Sequence, residues 1–356
     1  MLERSTIYEV ARRSGVSTAT VSRVMHDGSG FSASTRERVR KVALDLGWVP
    51  NGAARGLARR RVGIIGLLFP DLADDDIDSE APLFVDLVIR GAERAANLVG
   101  DAVLIAATRC AARAKIARSV ASKVDGLIVT AQSLPDHEVT MLARIVPVVV
   151  IAARTAQHTH DAVCADNRQG SLSITEHLLV EHGYRDVVFV AGPPESPDSI
   201  ERFAGFRDAL GAAGLPVPEQ PVAHGEFTQA AGRRIMGELL AGMQTPPRAV
   251  VFANDQMAAG GLQALESHGC TVPGDVAVVG FDDITSSRHT RPTLTTVAQP
   301  MRQIGEEAVR VLLDRLGQPG LPHQVLVLPT ALVIRRSCGC ANAPATAPHP
   351  EAGDPT

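Results

Sequence analysis

The chain has 356 residues, of which 45% are apolar and 21% are charged. That length favours two or three domains, and the balance of apolar to charged residues excludes a disordered chain. The net charge of -4, taken alone, argues against a nucleic-acid partner. The charge is nevertheless divided unevenly: residues 1–61 contain twelve Arg or Lys and five Asp or Glu, or +7, which leaves -11 for the other 295 residues. A basic segment joined to an acidic body is typical of a polyanion-binding module on a larger globular protein.

Targeting signals and cysteine usage indicate the compartment. The first ten residues have no apolar signal core, and the longest apolar run, residues 145–153, is shorter than the roughly 20 residues that a bilayer crossing needs. We therefore expect a soluble, cytoplasmic protein with no membrane partner. The cysteines are scattered and do not form a disulfide framework: Cys110, Cys164, Cys270, Cys338 and Cys340. Cys338 and Cys340 are either half of a metal or redox pair or two reduced thiols, and the segment 158–161 (HTHD) is either a metal site or ordinary polar sequence. Because no partner cluster is visible in the sequence, we expect no metal and no cofactor.

Two short helices are predicted near the start of the chain. Thr6 and Glu9 have the spacing of a capping box, in which a hydroxyl and a carboxylate each satisfy a free backbone N–H at a helix start. Gly15 permits the tight turn that ends this helix. Ser17 is a good N-cap for a second helix over residues 18–25.

A third helix follows, with Ser32 or Ser34 as its cap. Ser34 and Glu37 repeat the capping-box spacing, and Gly47 ends the helix. Apolar residues at helical spacing give the helices a buried side: Ile7, Val10, Ala11, Val21, Val24, Val39, Val42, Ala43 and Leu46. Two helices across a glycine turn, with a third behind them, indicate a helix-turn-helix domain whose second helix enters the DNA major groove. There Arg23 can contact guanine with two hydrogen bonds, and short hydroxyls suit phosphate oxygens. The alternative is a plain three-helix bundle whose Ser and Thr residues are only caps.

Two segments carry a resemblance that continues to about residue 340. TIYEVARRSGVSTATVSRVMHD (6–27) and STRERVRKVALDLGWVPNGAARGLARRR (34–61) resemble the lac/galactose-repressor family (LacI/GalR) of bacterial transcription regulators. The departures are Glu9 and Trp48, where Asp and Tyr are usual, and neither changes the expected chemistry. The resemblance implies an all-α helix-turn-helix domain at residues 1–50. The DNA-binding positions that it implies, there and in the segment that follows, are Thr6, Tyr8, Ser17, Thr18, Ala19, Thr20, Ser22, Arg23, His26, Thr35, Asn51, Ala54, Arg55 and Leu57.

Residues 51–61 are expected to form a hinge. The resemblance implies a short hinge helix that folds only on DNA, where two copies from a dimer enter the minor groove. Leu57 can act as the apolar wedge that kinks the duplex. Gly52 and Gly56 each weaken a helix by about 1 kcal/mol relative to Ala, which favours order only in the bound state. The alternative is a flexible basic linker.

Residues 62–340 alternate short β-branched runs with helical stretches. The predicted strands are 63–69, 102–107, 126–130, 146–151, 187–191, 249–253 and 276–281, and the predicted helices are 83–99, 171–182, 202–213, 229–241 and 257–268. Such alternation indicates parallel, doubly wound sheets, and about 280 residues exceed a single core. The resemblance implies an α/β periplasmic-binding-protein-like body of two Rossmann-like subdomains, which binds an effector and forms the dimer. The expected boundaries are about 62–163 and 292–324 for the first subdomain, about 164–291 and 325–340 for the second, and 341–356 for a disordered tail.

In such folds ligands bind at the carboxyl ends of the strands, between the lobes. The effector-contacting positions that the resemblance implies are Phe84, Arg202, Phe227, Asn254, Asp282 and Gln299. Their chemistry suits a polyol, because carboxylate and amide groups pair with adjacent hydroxyls, arginine forms a planar fork and an aromatic face covers a sugar ring. The alternative is local, since Asn254 and Asp282 can simply cap the helices that follow them.

Two departures from the family bear on the effector. One strand ends in Ala152 and Ala153 where Asp-Arg is usual, so one polar anchor is missing or is replaced by Arg154. The loop at 71–80 is longer and more acidic than usual, and it is either a Ca²⁺ site or a solvated mobile loop. A hexose is the first expectation, and a different sugar, a sugar derivative or a nucleoside stays open.

These features predict an effector-controlled repressor that acts as a homodimer on pseudopalindromic operator DNA, close to the nucleoid. The alternatives are a solute-binding protein with no DNA role and an activator or corepressor-dependent regulator of the same family. We expect no enzymatic activity, because the sequence has no P-loop, dinucleotide-binding, nucleophile-elbow or zinc-protease motif.

Overall fold

The computed structural model describes residues 5–25, 29–48, 61–70, 82–108, 112–131, 133–152 and 160–340, except for the side chains of 82–84. The chain divides into two compact units, residues 1–63 and residues 64–356. The predictions for hinge residues 51–60 and for the tail at 341–356 lie outside the described residues. Within the described ranges, no helix combines the length and apolar character that a membrane crossing requires.

The described part of the first unit contains the three predicted helices, α1 (Ile7–Ser14), α2 (Thr18–Met25) and α3 (Ala33–Asp45). Their apolar sides meet in one core: Val10, Ala11, Val21, Val24, Val39 and Ala43, with Ile7, Val42, Leu46 and Trp48 packed against it. Gly15 has φ +66°, the left-handed conformation that turns the chain between α1 and α2. The predicted helix-turn-helix arrangement is therefore confirmed.

Helix capping in this unit differs from prediction at two positions. Thr6 is the N-cap of α1, but its hydroxyl makes no capping bond, and the N–H of Glu9 bonds to the Thr6 carbonyl at 3.0 Å instead. Ser32, with extended backbone, caps α3 by accepting from Thr35 N at 3.2 Å. Ser34 lies inside the first turn of that helix, so the capping box predicted for it is wrong.

The first sheet of the second unit is parallel and covered on both faces. Its strands are β1 (Ile64–Pro70), β2 (Ala102–Thr108), β3 (Gly126–Thr130), β4 (Val148–Ile151), β5 (Asp161–Ala165) and β11 (Val325–Leu328), in the order β11-β5-β4-β3-β1-β2. Helices α4 (Pro82–Leu98) and α11 (Met301–Gly317) pack on one face, and α5 (Arg113–Ala121) and α6 (Asp136–Leu142) pack on the other. The strands β3, β4 and β5 are buried along their whole length, as expected where helices cover both faces.

The second sheet repeats this plan. Its strands are β6 (Val187–Ala191), β7 (Ala223–His224), β8 (Ala249–Phe252) and β9 (Ala277–Val279), in the order β7-β6-β8-β9. Helices α7 (Asn167–Val180) and α8 (Pro197–Ala212) pack on one face, and α9 (Gln229–Gly242) and α10 (Asp255–Ser267) pack on the other. An antiparallel pair, β10 (Thr296–Ala298) and β12 (Ala331–Val333), lies beside β9 through bridges from Val279 to Thr295 and from Asp282 to Ala298.

The chain passes three times between the two lobes, the subdomains built on the first and the second sheet, and the sequence predicts these crossings at about residues 163, 291 and 324. β5 belongs to the first sheet, so the first crossing follows that strand. β10 lies beside the second sheet, so the second crossing follows it. β11 pairs with β5, so the third crossing follows β11. A strand next to a crossing looks the same in sequence whichever sheet it joins, so its pattern alone does not assign it to a lobe.

Candidate functional site

Polar residues follow several strands of the second lobe and lie at one edge of its sheet. Asn254 follows β8, Asp282 follows β9 and Gln299 follows β10 directly. β8 and β9 run parallel, and the bridge from Asp282 to Ala298 is also parallel. Because parallel strands end at the same edge of a sheet, these residues lie near one another, where ligands of doubly wound folds bind.

Arg202, Asp282 and Gln299 form a contiguous polar cluster. Gln299 Nε2 donates to Asp282 Oδ1 at 2.5 Å, and Arg202 Nη1 lies 3.3 Å from the same oxygen. The side chains of Arg202 and Asp282 are only 4% and 11% exposed, so this ion pair is largely desolvated. Asp282 has φ +119°, a strained conformation of the kind that collects at functional sites.

Arg202 is held in place from several sides. Its Nε donates to Asn167 Oδ1 at 2.8 Å, and its Nη1 donates to the Ala253 carbonyl at 2.6 Å. The guanidinium carbon lies 3.9 Å from the centroid of the Phe281 ring, which is a cation–π contact. Asn167 in turn donates to Asp198 at 2.8 Å. The orientation of the guanidinium is therefore set by the protein before any ligand arrives.

Three carboxyl groups in this part of the second lobe have raised pKa values. Burial raises the pKa of Asp282 to about 6, although Arg202 and Gln299 favour its charged form. Burial also raises the pKa of Asp198 and, with a contribution from the charge of Asp282, raises that of Asp255 to about 8. Perturbed carboxyl groups of this kind are common at functional sites. Partly protonated carboxyls both donate and accept hydrogen bonds, which suits a ligand with hydroxyl groups.

Asn254 supports the neighbouring aromatic residue. Its Oδ1 accepts from Met257 N at 3.0 Å, so Asn254 is the N-cap of α10, as the local alternative proposed. Its Nδ2 donates to the Phe227 carbonyl at 3.0 Å. Phe227 has φ +61°, and its ring covers Gly192, where an added Cβ would lie 2.2 Å from the ring atom Cζ. A glycine at this position therefore permits the Phe227 ring to lie against the backbone.

Asp255 is a structural carboxyl whose role the sequence did not reveal. Its Oδ2 accepts from Ile284 N at 3.1 Å and from Ser287 Oγ at 2.6 Å. Its Oδ1 accepts from Thr296 Oγ1 at 2.5 Å. Asp255 therefore joins the start of α10 to β10 and to the loop that carries Asp282.

Asp282 and Asp283 are adjacent in sequence but have separate roles. Asp283 pairs with Arg335 at 2.5 Å and with Arg288 at 3.4 Å. Asp282 does not cap the 3₁₀ turn that follows, whose N-cap is Ile284. The local alternative is therefore wrong for Asp282, and Asp283 instead anchors the loop to the segment after β12.

The first lobe's predicted contribution to the pocket lies mostly outside the described residues. Phe84 belongs to α4, but its side chain is not among those described. Arg154 and the acidic loop at 71–80 are likewise outside the described ranges. Ala152 after β4 is described and has φ +60°. The roles assigned to these residues stay predictions.

Asp161, at the end of the segment 158–161, is a buried residue with a structural role. Arg315 donates to its two carboxylate oxygens at 2.8 and 2.9 Å, and Gln324 N donates at 3.0 Å. Burial opposes ionisation, but the bonds from Arg315 and Gln324 outweigh it and hold the pKa of Asp161 below its usual range. Both oxygens join β5 to α11 and β11, so this carboxylate is engaged in the fold.

The DNA-binding predictions that the structure describes all have exposed or partly exposed side chains: Thr6, Tyr8, Ser17, Thr18, Ala19, Thr20, Ser22, Arg23 and Thr35. Tyr8 is 74% exposed, which leaves its ring available to a partner. Ser17 Oγ accepts from Thr20 N at 3.1 Å, so this hydroxyl also caps α2. The predictions for His26, Asn51, Ala54, Arg55 and Leu57 lie outside the described residues.

Comparisons with known proteins match both units. Residues 6–51 match the model for bacterial regulatory proteins of the lacI family, and residues 175–338 match that for a periplasmic binding protein-like domain. The chain is 32% identical over 337 residues to the HTH-type transcriptional regulator GalR of Salmonella typhimurium, covering 94% of this chain and 96% of the relative. It resembles the lac repressor dimer bound to operator and the anti-inducer ONPF with a TM-score of 0.80 and 29% identity, covering 94% of this chain and 99% of that one. For the complex of the transcriptional regulator CelR with cellobiose the TM-score is 0.70 and the identity 32%, covering 94% and 100%.

Proposed function

The chain belongs to the lacI family of bacterial regulatory proteins, and on that basis we propose that it is a repressor whose operator affinity is set by a sugar held at the Arg202–Asp282 cluster. It is a DNA-binding transcriptional regulator with the two-part architecture of that family, and it is not an enzyme. In this proposal the chain acts in the cytoplasm as a homodimer. The helix-turn-helix units of the two protomers, here called the heads, bind the half-sites of a pseudopalindromic operator.

The observation that carries the effector proposal is the desolvated cluster of Arg202, Asp282 and Gln299. A carboxylate that accepts from an amide and lies beside a fixed guanidinium can exchange these contacts for the hydroxyls of a sugar. The ring of Phe227, braced on Gly192, supplies the aromatic face that covers the apolar side of a sugar ring. The relative whose structure contains cellobiose supports this ligand class.

The DNA-binding part of the proposal depends on the head. Arg23 is exposed near the end of α2, and the hydroxyls of Ser17 and Thr20 lie at its start, where a recognition helix meets base edges and phosphates. The basic character of residues 1–61 adds an attraction to phosphate that is independent of sequence. The lac repressor structure, a dimer on its operator, supports this mode of binding.

Coupling between the two sites follows from the three crossings that join the lobes. A ligand that contacts both lobes favours one arrangement of the crossings after β5, β10 and β11 over others. That arrangement sets how the two heads of a dimer are presented to the operator. The coupling is reciprocal, so an effector that weakens operator binding is itself bound more weakly when the operator is present, by the same factor.

The effector proposal is tested by a screen of sugars and nucleosides on the purified full-length chain. A sugar that binds only the folded protein raises its Tm, and calorimetry then gives the affinity. Asp282→Asn is expected to lower that affinity at least about 10-fold, because a hydrogen bond to a charged group contributes about 1.5–3 kcal/mol. The matched control is Asp208→Asn, because Asp208 pairs with Arg168 on the surface. Equal losses in the two variants, or a response restricted to nucleosides, would contradict the proposal.

Operator binding is tested with DNA selected from a random-sequence pool. Arg23→Ala is expected to abolish sequence preference while leaving sugar affinity unchanged, and wild-type binding should weaken steeply with salt as counterions are released. A wild-type chain that binds a sugar but selects no DNA sequence would instead support a solute-binding protein.

A further inference from the structure

Four side chains outside these sites converge in the second lobe. His177 lies in the last turn of α7 and His182 follows that helix, while Cys338 and Cys340 follow β12. Their ligand atoms all lie within 4.8 Å of one another. Cys338 is fully buried and His177 is 7% exposed, while His182 and Cys340 are partly exposed. The cluster is therefore enclosed by protein and still open to an ion from solvent.

The distances among His177, His182 and Cys340 match the edges of a tetrahedral metal site. His177 Nε2 lies 3.2 Å from His182 Nε2, and Cys340 Sγ lies 3.6 and 3.4 Å from these two nitrogens. Zinc bonds of about 2.3 Å to sulfur and about 2.0 Å to nitrogen place tetrahedral ligand atoms about 3.3–3.8 Å apart. The three distances agree closely with these edges.

We propose that His177, His182, Cys338 and Cys340 bind one zinc ion. Imidazole and thiolate are the ligands that zinc prefers, and four protein ligands leave no open position, which is the mark of a structural site. On binding, each thiol loses its proton to solvent and forms a sulfur–zinc bond. Two thiolates then balance the two positive charges of the ion, so the buried site carries no net charge.

The cysteine turn is packed closely against the histidine pair. Gly339 has φ +113°, and an added Cβ there would lie 2.9 Å from Tyr184 Oη and 3.3 Å from the His182 ring. Tyr184 Oη donates to the Cys338 carbonyl at 3.0 Å, and its ring stacks on that of His182 with 5.2 Å between centroids. A glycine between the two cysteines therefore permits the close approach of this turn to Tyr184 and His182. Tyr184 fixes one histidine and one cysteine of the set together.

The position of the cluster would give the ion a structural role. The segment after β12 carries Arg335, which holds Asp283, so an ion there would pin to α7 the same segment that anchors the loop after β9.

The test uses the full-length chain, stripped of metal and kept reduced, with zinc alone as the probe. We expect one zinc ion per chain after gel filtration, and a Tm that rises with zinc. Cobalt(II) should give the intense visible absorption of tetrahedral, thiolate-bound cobalt. Cys340→Ser should lower zinc affinity at least about 100-fold, since even the loss of an outer-shell partner costs 10–100-fold. Cys270→Ser, at a free and partly buried cysteine outside the cluster, should bind zinc like the wild type.

His182→Gln provides a second test if Cys340→Ser does not fold, as judged by circular dichroism. It should weaken zinc binding while it leaves both cysteines in place. Substoichiometric zinc at saturation would overturn the proposal, as would a cobalt spectrum without thiolate bands. A disulfide between Cys338 and Cys340 that forms in preference to zinc binding would also overturn it. Equal zinc affinities of the Cys340→Ser and Cys270→Ser variants would likewise overturn the proposal.

Discussion

The Asp282→Asn variant separates the contribution of this carboxylate to binding from its effect on folding. Asp282 has its pKa raised from 3.8 to about 6 by burial. A carboxyl whose pKa is higher in the folded than in the unfolded chain stabilises the fold in its protonated form. This stabilisation is fully present below pH 3.8 and is lost as the pH rises through about 6. At about 1.4 kcal/mol per pKa unit, the loss is about 3 kcal/mol at pH 7.5 and roughly half of that at pH 5.

Asparagine has nearly the same shape and cannot ionise. Its Oδ1 can still accept from Gln299, and the attraction of Asp282 to Arg202 is already included in the raised pKa. We therefore expect the ligand-free variant to be more stable than the wild type by about 3 kcal/mol at pH 7.5 and by roughly half of that at pH 5. This gain accompanies the expected loss of sugar affinity, a trade between stability and function that is common at binding sites.

The assay is urea unfolding of the ligand-free chain at the two pH values, followed by far-ultraviolet circular dichroism. Tryptophan emission is unsuitable for this purpose, because Trp48, the single tryptophan, packs in the head. Asp208→Asn serves as the control: Arg168 holds the pKa of Asp208 below its usual range, so its removal should give no gain at neutral pH. A variant that is less stable than the wild type at pH 7.5, or a difference that does not shrink at pH 5, would refute the reasoning.

Three further substitutions test other parts of the structure. Asp161→Ala leaves the Arg315 guanidinium buried without its partner, and it should lower the free energy of unfolding by about 3–5 kcal/mol in urea titrations; a change below about 1 kcal/mol would contradict this structural role. Ser32→Ala removes the N-cap of α3 and should destabilise the head by about 1 kcal/mol, measured by the thermal transition of tryptophan emission; an unchanged transition would argue against the cap. Gly192→Ala displaces the Phe227 ring and should weaken sugar binding roughly 10-fold, or about 1.4 kcal/mol by calorimetry, with the fold intact; unchanged affinity would exclude a role of this ring in sugar binding.

The elements that could be predicted are those whose pattern is local. β3 and β6 begin and end at the predicted residues, because each is a buried β-branched run with clear flanks. β10 and β12 have three residues each and were not predicted. Their pairing depends on residues more than thirty positions apart, and three residues are too few to show a period.

The site residues also divide into those that could be predicted from the sequence and those whose role depends on distant positions. The resemblance to the LacI/GalR family predicts Arg202, Asp282 and Gln299 as effector contacts, and Asp282 also follows a predicted strand, at the ligand edge of such a fold. The role of Asp255 was not predictable, because Ile284 lies 29 positions and Thr296 lies 41 positions along the chain. The zinc ligands illustrate the extreme case. Their two halves are more than 150 positions apart, and either half alone has an ordinary explanation.

The order of the crossings also determines which parts of the gene can be exchanged. The head joins the body once, near residue 63, whereas the two lobes are interleaved by the crossings after β5, β10 and β11. One recombination event can therefore transplant a head onto another body. No single event can transplant one lobe, because each lobe is assembled from separate stretches of sequence. A head and a whole body can thus be paired anew by shuffling, whereas one lobe changes apart from the other only by several events or by substitutions within it.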